Sequence, residues 1–357
     1  MAQPSLYRLL ELIFRTQYAE LKERVRAVGP LLPGTPGTLA LRTGTGRGQW
    51  YRVYYPAPGK QAEEWVAPES DREAYRVMQE KIEFAGWVSN QVVALRKLGF
   101  QVADKGTARV LVELHNRGVF EAGLVLVGTL SFMAWLNELG AAAVSARTQD
   151  VDLARRQPLK LAAPLAFLGT MQATGLPFVA VPGMPSSRPS TSVKLPGIEG
   201  LRVDVLAPAK AVGQVIQVPE LQWAAQGIPH YDYLLEGPEA GAVLAGGHCV
   251  PVRLPQAARL VWHKLYSSLH RRGFPEKAAK DLQQALVLAA VLAESDDAGS
   301  LSTAFKDAPR KMADEIRGMQ SRLLKRTEKF PAIQDMFREA LRAKRRSGAV
   351  LTRSGPH

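Results

Sequence analysis

Two acids one residue apart, Asp150-Val151-Asp152, are the part of this sequence best suited to chemistry. Val151 and Leu153 mark the segment as a strand, and strand side chains alternate between faces. Asp150 and Asp152 therefore share one face, while Val151 and Leu153 point into a core. Paired carboxylates repel each other unless a cation lies between them. Their hard oxygens suit Mg²⁺, or Mn²⁺ in its place, and Mg²⁺ usually bridges to a substrate phosphate. Upstream, the apolar run Leu124 to Val127 ends in Gly128-Thr129. Phe132, Trp135, Leu136 and Leu139 then follow at helical spacing. A turn that opens a helix offers free backbone N–H groups to a phosphate. A third acid, Asp204, stands between Val203 and Val205, where an unpaired carboxylate is costly.

Other chemistries find less support. His115, His230, His248, His263 and His270 show none of the spacings of a zinc hydrolase. Cys249 has no base placed beside it in sequence, which argues against a cysteine nucleophile. The run Gly44 to Gly48, GTGRG, is followed by no helical pattern, so it reads as a hairpin turn rather than a phosphate loop.

At Val127-Gly128-Thr129, Asp150-Val151-Asp152 and Asp204 the sequence resembles the nucleotidyltransferase superfamily that includes DNA polymerase β. The phrases LVGTLSFMA, TQDVDLA, LRVDVLAP and WHKL…KDLQQA carry the likeness from about Ser70 onward. They point to a bacterial branch distantly related to abortive-infection (AbiEii-type) toxin nucleotidyltransferases. Thr129 stands where Ser or Gly is usual, and the gap from Gly128 to Asp150 is longer than in the smallest members. The resemblance implies transfer of a nucleoside monophosphate from an NTP such as ATP, with Mg²⁺ (or Mn²⁺) on Asp150, Asp152 and Asp204. It implies phosphate contacts at Gly128, Thr129 and Lys264, and it places Lys280-Asp281 in a second helical motif near the site. Ser192 and Lys194 are nucleotide contacts by their tie to the Asp204 strand. The acceptor is an RNA such as tRNA, or a protein. Two other readings stand beside this one: a nucleic-acid-binding or regulatory protein on the same scaffold without transferase activity, and a toxin or defence component with an antitoxin partner.

Several elements must position these groups. Apolar spacing predicts a helix from Ser5 to Val28, ended by the Gly/Pro-rich run 29–37. Thr38 to Arg42, Trp50 to Tyr55 and Glu64 to Ala67 suggest a small antiparallel meander. A capping box at Ser70 and Glu73 opens a helix to about Leu98, and Thr107 to Asn116 forms another. Phe178 to Val181 is a strand, and Thr191 to Leu195 with Leu201 to Leu206 form a hairpin that sets Asp204 beside the acid pair. Gln214 to Val218, Tyr231 to Leu235 and Cys249 to Val252 read as further strands, and Ser295 to Ser300 as a loop. Helices are expected over Gln256 to Arg271, Pro275 to Ala293, Ala308 to Arg326 and Pro331 to Arg346.

The 357 residues, 46% of them hydrophobic and 22% charged, have the length and composition of a soluble chain of more than one domain. The fold expected is α+β: an N-terminal helix and β-meander (1–69), a nucleotidyltransferase core of mixed sheet and helices (70–254), a helical C-terminal region (255–346) and a basic tail (347–357). Asn137 and Glu138 interrupt the apolar stretch 123–144, so no membrane span is expected there. A single cysteine and the absence of a secretory signal fit a cytoplasmic protein. The formal net charge of +13 favours a polyanionic partner. Composition leaves the oligomeric state open.

Overall fold

The computed structural model describes residues 5–43, 46–57, 59–144, 148–271, 273–295 and 298–342. Tyr7–Ala257 form one compact unit, and Ala258–His357 with Met1–Leu6 the other. The fold is of mixed helix and sheet, as the sequence predicts. Among the described residues no helix is long and apolar enough to cross a membrane.

The first unit opens with β1 (Arg8–Leu9), α1 (Leu12–Arg26), β2 (Thr38–Thr43), β3 (Gly48–Ala57) and β4 (Lys60–Pro68). Helix α1 starts seven residues later than its periodicity suggests. Leu9, Leu12 and Ile13 are exposed, Arg8–Leu9 pairs as a strand with Ala141–Ala142, and the buried helix face is Tyr18, Leu21 and Val25. Strands β2, β3 and β4 form the expected antiparallel meander. Residues 44 and 45 of the GTGRG run lie outside the described residues, and Thr43 pairs with Gly48 across them, as in a hairpin. The Gly/Pro-rich run before the meander is pinned by Arg52. That side chain is fully buried and donates to the carbonyl oxygens of Pro33 (2.7 Å), Thr35 (2.7 Å) and Pro36 (2.9 Å), with Glu64 at 3.0 Å.

Next come α2 (Arg72–Leu98), β5 (Val102–Ala103), α3 (Lys105–Asn116), β6 (Val125–Val127), α4 (Gly128–Glu138), β7 (Ala141–Ala142) and β8 (Asp150–Ala154). Asp71, not Ser70, caps α2 by accepting from the Ala74 N–H at 2.9 Å, while Glu73 turns to Arg76. Asn137, buried, and Glu138, part-buried, the polar interruptions of the apolar stretch, serve as clamps. Asn137 exchanges two 2.8 Å hydrogen bonds with the Gln101 backbone. Glu138 accepts from the Tyr18 hydroxyl (2.8 Å), Lys22 (2.5 Å) and the Ala242 N–H (2.9 Å). Burial, and then Glu138, push the Tyr18 phenol well above its ordinary pKa.

The unit continues with α5 (Phe167–Ala173), β9 (Val179–Ala180), β10 (Ser192–Lys194), β11 (Arg202–Pro208), β12 (Val215–Val218), β13 (Trp223–Ile228), α6 (Tyr231–Leu234), β14 (Glu239–Ala245) and β15 (His248–Leu254). Tyr231 to Leu235 was expected as a strand and is instead a single helical turn burying Tyr231, Tyr233 and Leu234. A sheet of seven strands has β11 as its hub. Parallel β8 covers one edge of β11 over residues 202–206. Antiparallel β10 and then parallel β13 take the other edge. A second sheet, β5-β14-β15, packs against α1 and α2 around Leu21, Val25, Val92, Leu95, Leu244 and Cys249. Burial, and then Glu138, raise the Cys249 thiol to about 12, which keeps it protonated and unreactive.

The other unit is helical: α7 (Ala257–His270), α8 (Pro275–Ala293), α9 (Ala298–Lys306), α10 (Arg310–Gly318), α11 (Gln320–Arg326) and α12 (Pro331–Arg342). Its core is Trp262, whose Nε1–H donates to the Leu301 carbonyl at 2.9 Å and whose ring meets Phe305 and Phe337. Two expectations change here. Part of the expected loop 295–300 opens α9, which Trp262 and Phe305 draw into the core. The expected helix 308–326 is two, because the chain breaks at Met319 and Pro309 caps the first of them. Arg272, residues 343–346 and the tail 347–357 lie outside the described residues.

Candidate active site

The acids meet through strand register. In the parallel pair of β8 and β11, Asp152 lies opposite Asp204 and Asp150 opposite Arg202. In the antiparallel pair of β10 and β11, Ser192 lies opposite Asp204 and Lys194 opposite Arg202. One sheet face therefore carries two rows, Asp152–Asp204–Ser192 and Asp150–Arg202–Lys194. The intervening residues Val151, Leu153, Val203 and Val205 are fully buried on the opposite face and hold the register. A one-residue slip would bury the acids and expose these four side chains.

Each acid has its own setting. The Asp150 carboxylate is half-buried and makes no hydrogen bond or ion pair with another described residue. Asp204 Oδ1 accepts from the buried Ser192 hydroxyl and from Arg202 Nε at 2.8 Å, and Arg202 Nη2 donates to Ser192 Oγ at 2.7 Å. Among the described residues nothing donates to Asp204 Oδ2. Lys194 is turned away, its ammonium donating to the Ile198 carbonyl in the hairpin loop at 2.8 Å. No group of three His, Cys, Asp or Glu side chains among the described residues converges into a ready metal cage.

Asp152 is fitted to the turn that opens α4. Val127 pairs with Asp152, and the next residue, Gly128, has φ +70°. A Cβ on Gly128 would stand 2.9 Å from the Asp152 carboxyl carbon and collide with Oδ2. Only glycine permits both the left-handed backbone and the close carboxylate. Thr129 follows in the first turn, which has no side-chain hydrogen bond from its N-cap residue, Val127. Its backbone N–H groups lie at the positive end of an eleven-residue helix.

The end of β8 is anchored by a part-buried ion pair. Arg155 Nη2 meets Glu220 Oε1 at 2.9 Å, and the Leu159 N–H donates to the same oxygen at 2.8 Å. Burial raises the Glu220 pKa, but its own backbone N–H, then Arg155 and the Leu159 N–H outweigh it and hold the carboxyl below its usual range.

A nucleotidyltransferase family model matches residues 105–309, more than half of the chain and every residue placed above. The chain belongs to this nucleotidyltransferase family. Neither curated proteins nor solved structures gave a match. As a nucleotidyltransferase it is a transferase enzyme with a nucleotide substrate, and the two-row face with the Gly128 turn is its candidate active site.

Sequence reasoning overlooked Arg202 in this nucleotidyltransferase, although its place two residues before Asp204 on an alternating strand was the signal. Lys264 lies in the helical unit and is almost fully buried. Its ammonium meets Asp281 Oδ1 at 3.2 Å, and Arg271 Nε meets Oδ2 at 2.5 Å. A phosphate contact at Lys264 would share the ammonium with Asp281. Burial raises the Asp281 pKa, yet Lys264 and then Arg271 outweigh it, and the net shift is downward. A depressed carboxyl contributes stability above its unfolded pKa of about 3.9, and that contribution is lost as pH falls through the folded value. Asp281→Asn is therefore expected to cost about 3–5 kcal/mol at pH 7. In thermal melts across pH, its deficit against wild type should shrink below pH about 4. A constant deficit would mean that Asp281 contributes through packing alone.

Proposed function

We propose that the chain transfers a nucleoside monophosphate from an NTP to an acceptor hydroxyl, with Mg²⁺ or Mn²⁺ and release of pyrophosphate. The observation that carries this reading is the register of Asp152 with Asp204 beside a half-buried Asp150 carboxylate that has no partner among the described residues. The donor chemistry fits the ion. Mg²⁺ keeps several waters and takes one or two carboxylates plus substrate phosphates, so no preformed three-acid cage is needed. Asp150 and Asp152 would hold it, with Asp204 Oδ2 as a further oxygen. Bound there, the ion would offset phosphate charge and acidify the acceptor hydroxyl.

The chain's own groups do the rest. Backbone N–H groups at Gly128 and Thr129 hold the outer phosphates at the start of α4. Ser192 and Arg202 fix Asp204 through Oδ1 and leave Oδ2 facing the site. Asp204 takes the acceptor proton. The acceptor oxygen then bonds to the α-phosphorus, the bond from that phosphorus to the bridging oxygen breaks, and pyrophosphate departs.

The acceptor in this proposal is RNA. The net charge is +13, and Lys325, Arg326, Lys329, Arg338 and Arg342 crowd the end of the helical unit. The test supplies each α-labelled NTP with Mg²⁺ or Mn²⁺ and either tRNA or total cell protein. Label on tRNA that disappears with a chelator is the expected result. Label on protein would overturn the RNA acceptor, and no label on either would overturn the transferase reading.

A further inference from the structure

Two neighbouring cavities lie in the first unit, lined by none of the residues assigned above. The first, about 350 Å³, lies between the chain after α1, helix α2 and the start of β15, with walls of Val28, Leu31, Leu32, Phe84 and Val88. The second, about 320 Å³, is lined by Thr35, Ser89, Lys105, Arg109 and the Gly246-Gly247 turn. Ala85, Gly247 and His248 line both. Each is of ligand-pocket size.

We propose that the two cavities form one binding site for a small amphipathic anion, an apolar body carrying a single carboxylate or phosphate head. The apolar body fits the first cavity. Its charged wall residues are Glu80, already paired with Arg76, and Lys81. The head fits the second, whose lining includes two cations, Lys105 and Arg109, and no acid. Arg109 Nη2 is buried and has no hydrogen-bond partner among the described residues. A buried guanidinium N–H without an acceptor is costly, and a carboxylate or phosphate oxygen satisfies it with a charge-assisted bond. Burial accordingly lowers the Arg109 pKa.

The walls are built rather than incidental. Gly246 and Gly247 turn β14 into β15 at φ +52° and +92°. A Cβ on Gly246 would come within 2.8 Å of the Lys105 Cα, and one on Gly247 within 2.9 Å of Ser89 Oγ. The turn is thus pressed onto α2 and α3 as closely as glycine allows. On the opposite side, Arg52 pins the carbonyls of Pro33, Thr35 and Pro36, fixing the segment that lines the second cavity. His248 Nε2–H donates to the Leu32 carbonyl at 3.1 Å, and burial depresses its pKa, so it stands neutral between the two cavities.

Calorimetric titration of the full chain with octanoate, octanol and acetate tests this. Octanoate should bind at one per chain, about ten-fold or more tighter than octanol, since the charged contact adds to the apolar one. Acetate, lacking the apolar body, should give no measurable binding. Arg109→Ala should bring octanoate down to the octanol level, and Ala85→Phe, at the junction, should weaken both. Equal affinity of wild type for octanoate and octanol would overturn the proposal, as would the absence of octanoate binding or unchanged octanoate affinity in Arg109→Ala. Should Arg109→Ala fail to fold, the octanoate–octanol comparison on wild type decides alone.

Discussion

Asp152→Asn should abolish nucleotidyl transfer while leaving the fold intact. The substitution keeps the side chain's shape, so the fit against Gly128 and the pairing of β8 with β6 and β11 survive. What it removes is charge, on a face where Asp152 lies opposite Asp204 and two residues from Asp150. The melting temperature without metal should stay close to that of wild type, because the substitution keeps the shape that the strand pairing requires. Transfer should fall by about 10³-fold, the scale of removing one group that stabilises charge at a reacting centre. Asp150→Asn should behave alike. Full activity in either variant would contradict the assignment of these acids. Loss of folding would instead make them structural.

Gly128→Ala should be as damaging to transfer by a different route. The new Cβ would occupy the place of the Asp152 carboxylate, and φ +70° is strained for any residue with a side chain. The carboxylate must therefore swing away or the α4 turn must open, and either disrupts the acid row. Gly118→Ala is the control. It has the same left-handed backbone, at φ +68°, and its Cβ would meet nothing within 4 Å. Both variants should lose about 1–2 kcal/mol to backbone strain, and only Gly128→Ala should lose transfer. Equal activity of the two would sever the link between this turn and the acids.

Much of the sheet was legible because its alternation is unambiguous. Asp152 and Asp204 each sit between fully buried valines or leucines, Asp150 precedes the buried Val151, and a period of two admits one assignment of faces. The hairpin of β10 and β11, which sets Asp204 beside Ser192, followed from the turn at 196–200, while Asp152 meets Asp204 through the parallel pairing of β8 with β11. Register was not legible, and it decides which residue faces which. The pairing of β10 with β11 sets the Ser192 hydroxyl between Asp204 and Arg202, which alternation alone does not show. The short elements misled for a related reason. Tyr231 to Leu235 has strand-like composition, but its aromatic residues are buried as one helical turn. The N-terminal periodicity ran past the helix because Leu9, Leu12 and Ile13 continue an apolar pattern that the core does not use. Lys264 illustrates a further limit: its burial against Asp281 depends on a partner 17 residues away on another helix.

The central claim is that the acid face binds a divalent cation together with the nucleotide. Titration of Mn²⁺ into the protein with a non-hydrolysable NTP analogue, followed by electron paramagnetic resonance of the free ion, addresses it without requiring turnover. Wild type should take up Mn²⁺ only weakly alone and markedly more tightly with the analogue. The double variant Asp150→Asn/Asp152→Asn, melting as wild type does, should lose at least about ten-fold in Mn²⁺ affinity, the least expected on removing a charge-assisted contact. Equal Mn²⁺ uptake by the two proteins in the presence of the analogue would contradict the claim.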